Sequence, residues 1–204
     1  MLIDVATTPQ IEVYRLLTDV VTPRPIAWAT TVDADGRVNL APFSFFNAFG
    51  ANPPVVVFSP TLRRDGSKKD TLLNVEATGE FVINAAVEAL AEKVNQTSAE
   101  LPHGESEAEL AKLTLVPAVK VKPPRVAESP VQIECRVLQI VPVGQGPMSG
   151  NLVIGEVLLL HVDDGLFAPD GRVDPAKLRT IARLGGDWYA RTSDLFEMRR
   201  PSIG

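Results

Sequence analysis

Apolar residues come in short runs along this chain, and prolines and glycines cut the runs at close intervals. Residues 9–19 place Ile11, Tyr14, Leu16 and Leu17 at helical spacing behind Pro9, which predicts a short helix with proline near its first turn. That helix has to stop before Thr22-Pro23-Arg24-Pro25, where two prolines force extended backbone. Residues 26–32 are β-branched and aromatic and predict a strand; Asp33-Ala34-Asp35-Gly36 has hairpin-turn chemistry, and residues 38–46 return as a second strand. Pro42 breaks that second strand, which implies a bulge or an edge position. Asn52-Pro53-Pro54 predicts a turn and residues 55–59 a short buried strand.

The second half repeats this rhythm. After a polar loop, a helix is expected from Thr71 to about Ala77, with Asp70 as its N-cap and Thr78-Gly79 as its end. Residues 80–85 read as a strand, 86–97 and 105–113 as two surface helices, and 115–126 as extended, proline-punctuated chain. The longest strands are expected at 131–141 and 152–162, joined by a loop over 142–151. Asp174-Pro175 starts a final helix and Gly185-Gly186 stops it. With no repeat and no long linker, the chain reads as one domain over 1–204 with a C-terminal helical extension. The fold class is mainly β with peripheral helices (α+β), a small barrel. Helices separate the strands too seldom for a doubly wound sheet, and neither GxGxxG after a strand nor GxxxxGK[ST] occurs.

Composition narrows the chemistry. Twenty basic against 25 acidic residues give a net charge of −5 with no dense basic run, which argues against nucleic acid as a partner. The single cysteine, Cys135, excludes an intramolecular disulfide and a CxxC site, and two distant histidines, His103 and His161, exclude a His-rich metal cluster. No run has the roughly 18 apolar residues of a membrane span, and Asp4, Glu12, Arg15 and Asp19 interrupt any signal-peptide core, so a cytoplasmic protein with no membrane partner is expected. Side-chain catalysts are scarce. Chemistry here calls for a cofactor.

The informative block is residues 22–74. A strand broken by Pro42 leaves backbone amides unpaired beside Phe43, Ser44 and Asn47, suited to the edge of a flat heterocycle. Ser59 closes a strand before a loop with Arg63, Arg64, Lys68 and Lys69, and that loop feeds the helix start at Thr71, a ready anion site. The plainer readings stand beside these. Phe43, Phe45 and Phe46 serve as core, the basic loop as a solvated surface, and an Asp70 cap would occupy the amides an anion needs. Trp28 reads as core and Cys135 as an inert buried thiol. His161 reads as a satisfied strand-end histidine, and His103 has no ligand partner near it in sequence.

In order along the chain, TPRPIAWATTVDADGRVNLAPFSFFNAFGANPPVVVFS, KKDTLLNVEATGEFVIN, IGEVLLLHVDDGLF and RLGGDWY resemble the flavin reductase-like family of FMN-binding split barrels. That family includes flavoredoxin-type proteins and the reductase components of two-component monooxygenases, and the resemblance spans roughly residues 15–190. It implies a split β-barrel and FMN as cofactor. Pro42, Phe43 and Ser44 would lie against the ring edge and Asn47 beside the ring and ribityl chain. Ser59, Lys69, Asp70 and Thr71 would hold the phosphate, with Arg24 as a second cation. It further implies an FMN-binding oxidoreductase taking hydride from NAD(P)H, a flavin or partner-oxygenase acceptor, and a homodimer with Arg183, Trp188 and Tyr189 near the seam. The sequence departs from some relatives in one place: Met148-Ser149-Gly150-Asn151 stands where certain reductases carry a histidine in the nicotinamide pocket. An electron-transfer flavoprotein that does not itself use NAD(P)H, and a binding module without flavin, therefore remain alternatives.

Overall fold

The structure, a computed structural model, describes residues 1–102 and 105–201; His103 lies outside the described residues. Helix α1 (Gln10–Val20) precedes strands β1 (Arg24–Pro25), β2 (Ala27–Val32), β3 (Val38–Phe43), β4 (Phe46–Ala51) and β5 (Pro54–Phe58). Then come α2 (Asp70–Thr78), β6 (Glu80–Ala85), α3 (Ala91–Gln96), α4 (Glu107–Leu110), β7 (Leu115–Val116) and β8 (Arg125–Val126). The chain closes with β9 (Val131–Val143), β10 (Gly150–Val162), α5 (Pro175–Leu178), β11 (Ile181–Arg183) and β12 (Tyr189–Arg191).

Seven strands make one antiparallel sheet in the order β3-β2-β6-β9-β10-β5-β4. Its two edges, β3 and β4, are consecutive in the chain and separated by Ser44 and Phe45 alone, so the sheet curls until its edges meet there. Pro42 sits on the β3 edge, where its missing N–H costs no ladder bond. A smaller sheet, β1-β11-β12, lies outside.

Side-chain alternation along β2 feeds two cores. Ala27 and Ala29 face the barrel interior with Phe43, Phe58, Phe81, Val153 and the Leu72–Val75 face of α2. Trp28 faces the opposite way, into Leu40, Val87, Val94, Ala108 and Ile181. This is why every β2 residue is buried. Inside the barrel the rings of Phe43, Phe58 and Phe81 form a chain with centroids 5.4 and 5.1 Å apart. A Cβ at Gly155 would stand 2.3 Å from the Phe81 ring. Gly155→Ala is therefore expected to destabilise the fold by about 1–3 kcal/mol through overpacking, read as a lowered urea midpoint; an unchanged midpoint would contradict this packing.

Several expected elements are shorter than their sequence patterns. The 86–97 helix becomes a 3₁₀ turn over Glu88–Leu90 followed by α3, and the 105–113 helix is the four-residue α4, which Lys112 leaves at positive φ. The expected C-terminal helix stops at Leu178: Arg179 adopts the left-handed region, and Ile181 is buried as β11 pairs with β1 and β12. A short hairpin thus replaces the helical extension. The loop expected over 142–151 shrinks because β9 and β10 extend their register to Gly150 opposite Val143.

Candidate functional site

The N-terminus of α2 opens the site. Lys69 is its N-cap in extended conformation, and its side chain makes no capping hydrogen bond. Asp70 is not the cap expected from the sequence; it is the first helical residue, and its carboxylate meets Arg63 at 3.2 Å. Arg63 is also bound to the Lys68 carbonyl, so guanidinium and carboxylate form one ion-paired unit beside the helix start. Buried Thr71 accepts a 2.8 Å bond at Oγ1 from Asn39 Nδ2 on β3. The hydroxyl proton of Thr71 is thereby left to donate.

These groups line a cavity of about 190 Å³, with Pro42 and Phe43 as its apolar wall and residues 97–101 and Glu107 closing the far side. Lys69 Nζ stands 5.8 Å from the centre of the Phe43 ring. Burial pulls its ammonium below the ordinary lysine range; Glu100 opposes that shift and Arg63 adds to it. Burial pushes the Glu107 carboxyl above its usual range, against the 3.1 Å bond that its Oε2 accepts from the Leu40 amide, with Asp70 adding to the rise. That bond occupies an outward-facing amide of the edge strand β3.

A second cavity of about 290 Å³ adjoins the first, sharing Pro42 and Ser98 and reaching Ser44, Asn95, Arg183 and Tyr189. Arg183 stacks over the Tyr189 ring at 4.5 Å, and Tyr189 donates to Asn95. The result is one groove along β3, from a helix N-terminus with a lysine and a hydroxyl to an aromatic wall.

Five of the nine sequence-predicted site residues, Pro42, Phe43, Lys69, Asp70 and Thr71, line the first cavity, and Ser44 lines the second. Arg24 does not serve as a phosphate cation. It is buried, and its guanidinium donates to Thr18 O, Val21 O, Leu184 O and Ser44 Oγ at 2.5–3.3 Å. Arg24 instead ties the end of α1, the residues after β11 and the β3–β4 corner together. Ser59 Oγ accepts from the Asn151 amide at 3.1 Å, and Asn47 is exposed on edge strand β4; neither reaches the groove within one chain. Asn39, Glu107 and residues 97–101 complete the cavity without any local sequence signal. Trp28 is core, donating to Thr97 at 2.8 Å and so fixing the start of the 97–101 wall.

Away from the groove, Cys135 is buried and its thiol is pushed far up, by burial first and Glu134 second. His161 pairs with the fully buried Glu134 at 2.6 Å. Burial pushes that carboxyl up, but bonds from His161, Val119 and Lys120 outweigh it and hold the group below its usual range. Such a group contributes stability above its unfolded pKa and loses it as pH falls through the lower folded one. Acidification below the ordinary glutamate range should therefore release the 119–120 segment, seen as faster amide exchange there; unchanged exchange would contradict it. Among the described residues no three metal-ligating side chains converge, and no helix is long and apolar enough to cross a membrane.

Residues 20–176 match the flavin reductase like domain, and the chain belongs to that family; its fold is the family's split barrel. An uncharacterized protein of Halalkalibacterium halodurans is 43% identical over 194 residues, 94% of this chain and 92% of its own. Nitrilotriacetate monooxygenase component B from Bacillus cereus superposes with a TM-score of 0.91 at 36% identity, covering 97% of this chain and 98% of that one. 2-Nitrobenzoate 2-nitroreductase from Pseudomonas fluorescens gives 0.88 at 29% identity, covering 100% and 98%.

Proposed function

We propose that this chain is an FMN-binding oxidoreductase of flavin reductase type, which takes reducing equivalents from NAD(P)H and passes them to flavin, a partner oxygenase or another acceptor. The observation that carries this reading is the start of α2, with Lys69 and Thr71 at one end of a groove walled by edge strand β3. The donor set fits a phosphate monoester, and the adjoining apolar wall fits a flat ring. Similarity to a monooxygenase component and to a nitroreductase supports the same reaction class.

FMN, when bound, supplies the hydride-accepting centre, which suits a chain so poor in histidine and cysteine. The chain's own residues bind and orient. Lys69 and Thr71 hold the phosphate, with Asp70 and Arg63 fixing the loop that carries them. Pro42 and Phe43 set the ring position, and Arg24 holds Ser44 at the ring end. Residues 97–101 exclude water from the phosphate end. Asn47, exposed on edge strand β4, joins a site only across a seam between two copies, which fits a homodimer formed through edge strand β4 and α1, where Phe49, Leu17 and Val20 are exposed; Ser59 is buried and holds the start of β10 through the Asn151 amide.

Anaerobic addition of NADH or NADPH to FMN-loaded protein tests the function: bleaching of the flavin absorption supports a reductase. A bound flavin that neither nicotinamide bleaches supports the second reading, flavoredoxin-type electron transfer to a protein. That reading is favoured by Met148-Ser149-Gly150-Asn151 at the start of β10, where no histidine stands. The pH dependence is a further check. Because burial depresses the Lys69 pKa, its charge is lost as pH rises toward, but before, the ordinary lysine range. FMN affinity should fall across that window while riboflavin affinity does not; parallel curves would contradict the Lys69 assignment.

A further inference from the structure

Arg24 and Arg183 face each other across the β1–β11 pair. Like charges set directly opposite on neighbouring strands are destabilising. Burial adds to the cost at Arg24: it pulls the guanidinium below the ordinary arginine range, Arg183 pulls the same way, and Tyr14 and Asp19 oppose the shift. Local costs of this kind concentrate at functional sites. Arg183 lines the 290 Å³ cavity at the ring end of the groove, and so does Ser44, which Arg24 holds.

The Arg24 guanidinium divides its donors among three separate elements. Nε donates to Ser44 Oγ at 3.3 Å, at the corner between β3 and β4. Nη1 donates to Thr18 O at 2.5 Å and to Val21 O at 2.7 Å, carbonyls at the end of α1 where intrahelical partners run out. Nη2 donates to Leu184 O at 2.9 Å, in the turn after β11. Leu184 N to Trp188 O at 3.0 Å and Arg183 Nη2 to Gly186 O at 2.6 Å close that turn. It also meets α1: a Cβ at Gly185 would stand 1.6 Å from Asp19 Oδ1 and 3.1 Å from Asp19 Cα. The missing side chain lets the turn seat on the helix end. Arg24 and the end of α1 thus grip the 184–187 turn together, and Arg183, Asp187 and Tyr189, in or beside that turn, line the cavity.

We propose that Arg24 is the positioning residue of this cavity: one guanidinium fixes Ser44 on one wall and the 184–187 turn on the other, with the end of α1 as anchor for both. The inference rests on the FMN reading and deepens it, since this is the cavity where a second planar reactant, reductant or acceptor, lies beside the flavin ring. Arg24 acts through Ser44 and the turn rather than by contact with a reactant. A planar fork serves three directions at once, which the point charge of a lysine does not reproduce.

Two substitutions break this clamp at different points: Arg24→Met removes the fork, and Gly185→Ala pushes the turn off α1 with the charge intact. In flavin-free protein each should speed amide exchange at 44–46 and at 184–188 together, by about tenfold or more, and leave 70–75 as in the parent. In FMN-loaded protein each should change the visible circular dichroism of the flavin. Each should also weaken FMN and riboflavin by one common factor, about three- to tenfold, because the phosphate end is untouched. Arg24→Lys should restore the melting temperature more fully than it restores the flavin dichroism. Exchange that rises at only one of the two segments, or a flavin dichroism that stays at the parent's while the melting temperature falls, overturns the inference and leaves Arg24 a structural tie. Folded parent protein that takes up neither flavin removes the FMN reading instead, and the exchange pattern without flavin still decides the clamp.

Discussion

Replacing Lys69 and Thr71 together by alanine should weaken FMN binding by about 30- to 700-fold, equivalent to about 2–4 kcal/mol. Riboflavin binding should change by less than about threefold, because each lost interaction is addressed to the phosphate. Lys69 supplies a partly buried ammonium, and Thr71 a hydroxyl at a helix start. Hydrogen bonds to a charged group in such surroundings are worth more than ordinary ones. Thr71 also accepts from Asn39, so the variant loses some stability; a melting curve separates that loss from the change in affinity. FMN affinity within threefold of the parent, in folded protein, contradicts the phosphate assignment.

The other large effect is expected at Phe58→Ala, about 3–5 kcal/mol of stability by urea unfolding. Phe58 is fully buried at the centre of the aromatic chain, touching Phe43 on one side and Phe81 on the other. Its loss leaves a cavity that β5 and β10 cannot close, because both are paired along their length. A loss of this size is a large fraction of the roughly 5–15 kcal/mol that holds a typical domain together. The change also removes the support behind Phe43, so FMN affinity should drop in the protein that remains folded. A loss under about 1 kcal/mol would mean that the barrel interior is not packed through this ring.

Local patterns in the sequence make part of the fold legible. The Asp33–Gly36 turn, the helix end at Gly79 and the edge position of Pro42 each follow from the chemistry of one or two residues. Pro42, Phe43, Ser44, Lys69 and Thr71 line adjoining cavities, and they stand out as candidates in the sequence because they fall within one stretch that resembles a known family. What failed were readings that depend on distant partners. Arg24 looked like a spare cation between two prolines, yet the carbonyl groups that claim it come from α1 and from residue 184. Asp70 had the right residue type and place for an N-cap, but Arg63 offers it a salt bridge. The helix expected after Pro175 gave way to β11 because burying Ile181 and pairing with β1 outweigh four residues of propensity. Glu107 reaches β3 from 67 positions away, a closure that local periodicity does not encode.

The proposed site stands or falls on a flavin phosphate at the start of α2. Titrating the flavin-free protein with FMN, with absorbance and fluorescence followed together, tests that directly. Saturable quenching at one FMN per chain is expected, with riboflavin binding weaker by the contribution of Lys69 and Thr71. Folded, colourless protein that leaves FMN fluorescence unchanged at saturating concentration, or that binds riboflavin as tightly as FMN, would contradict it.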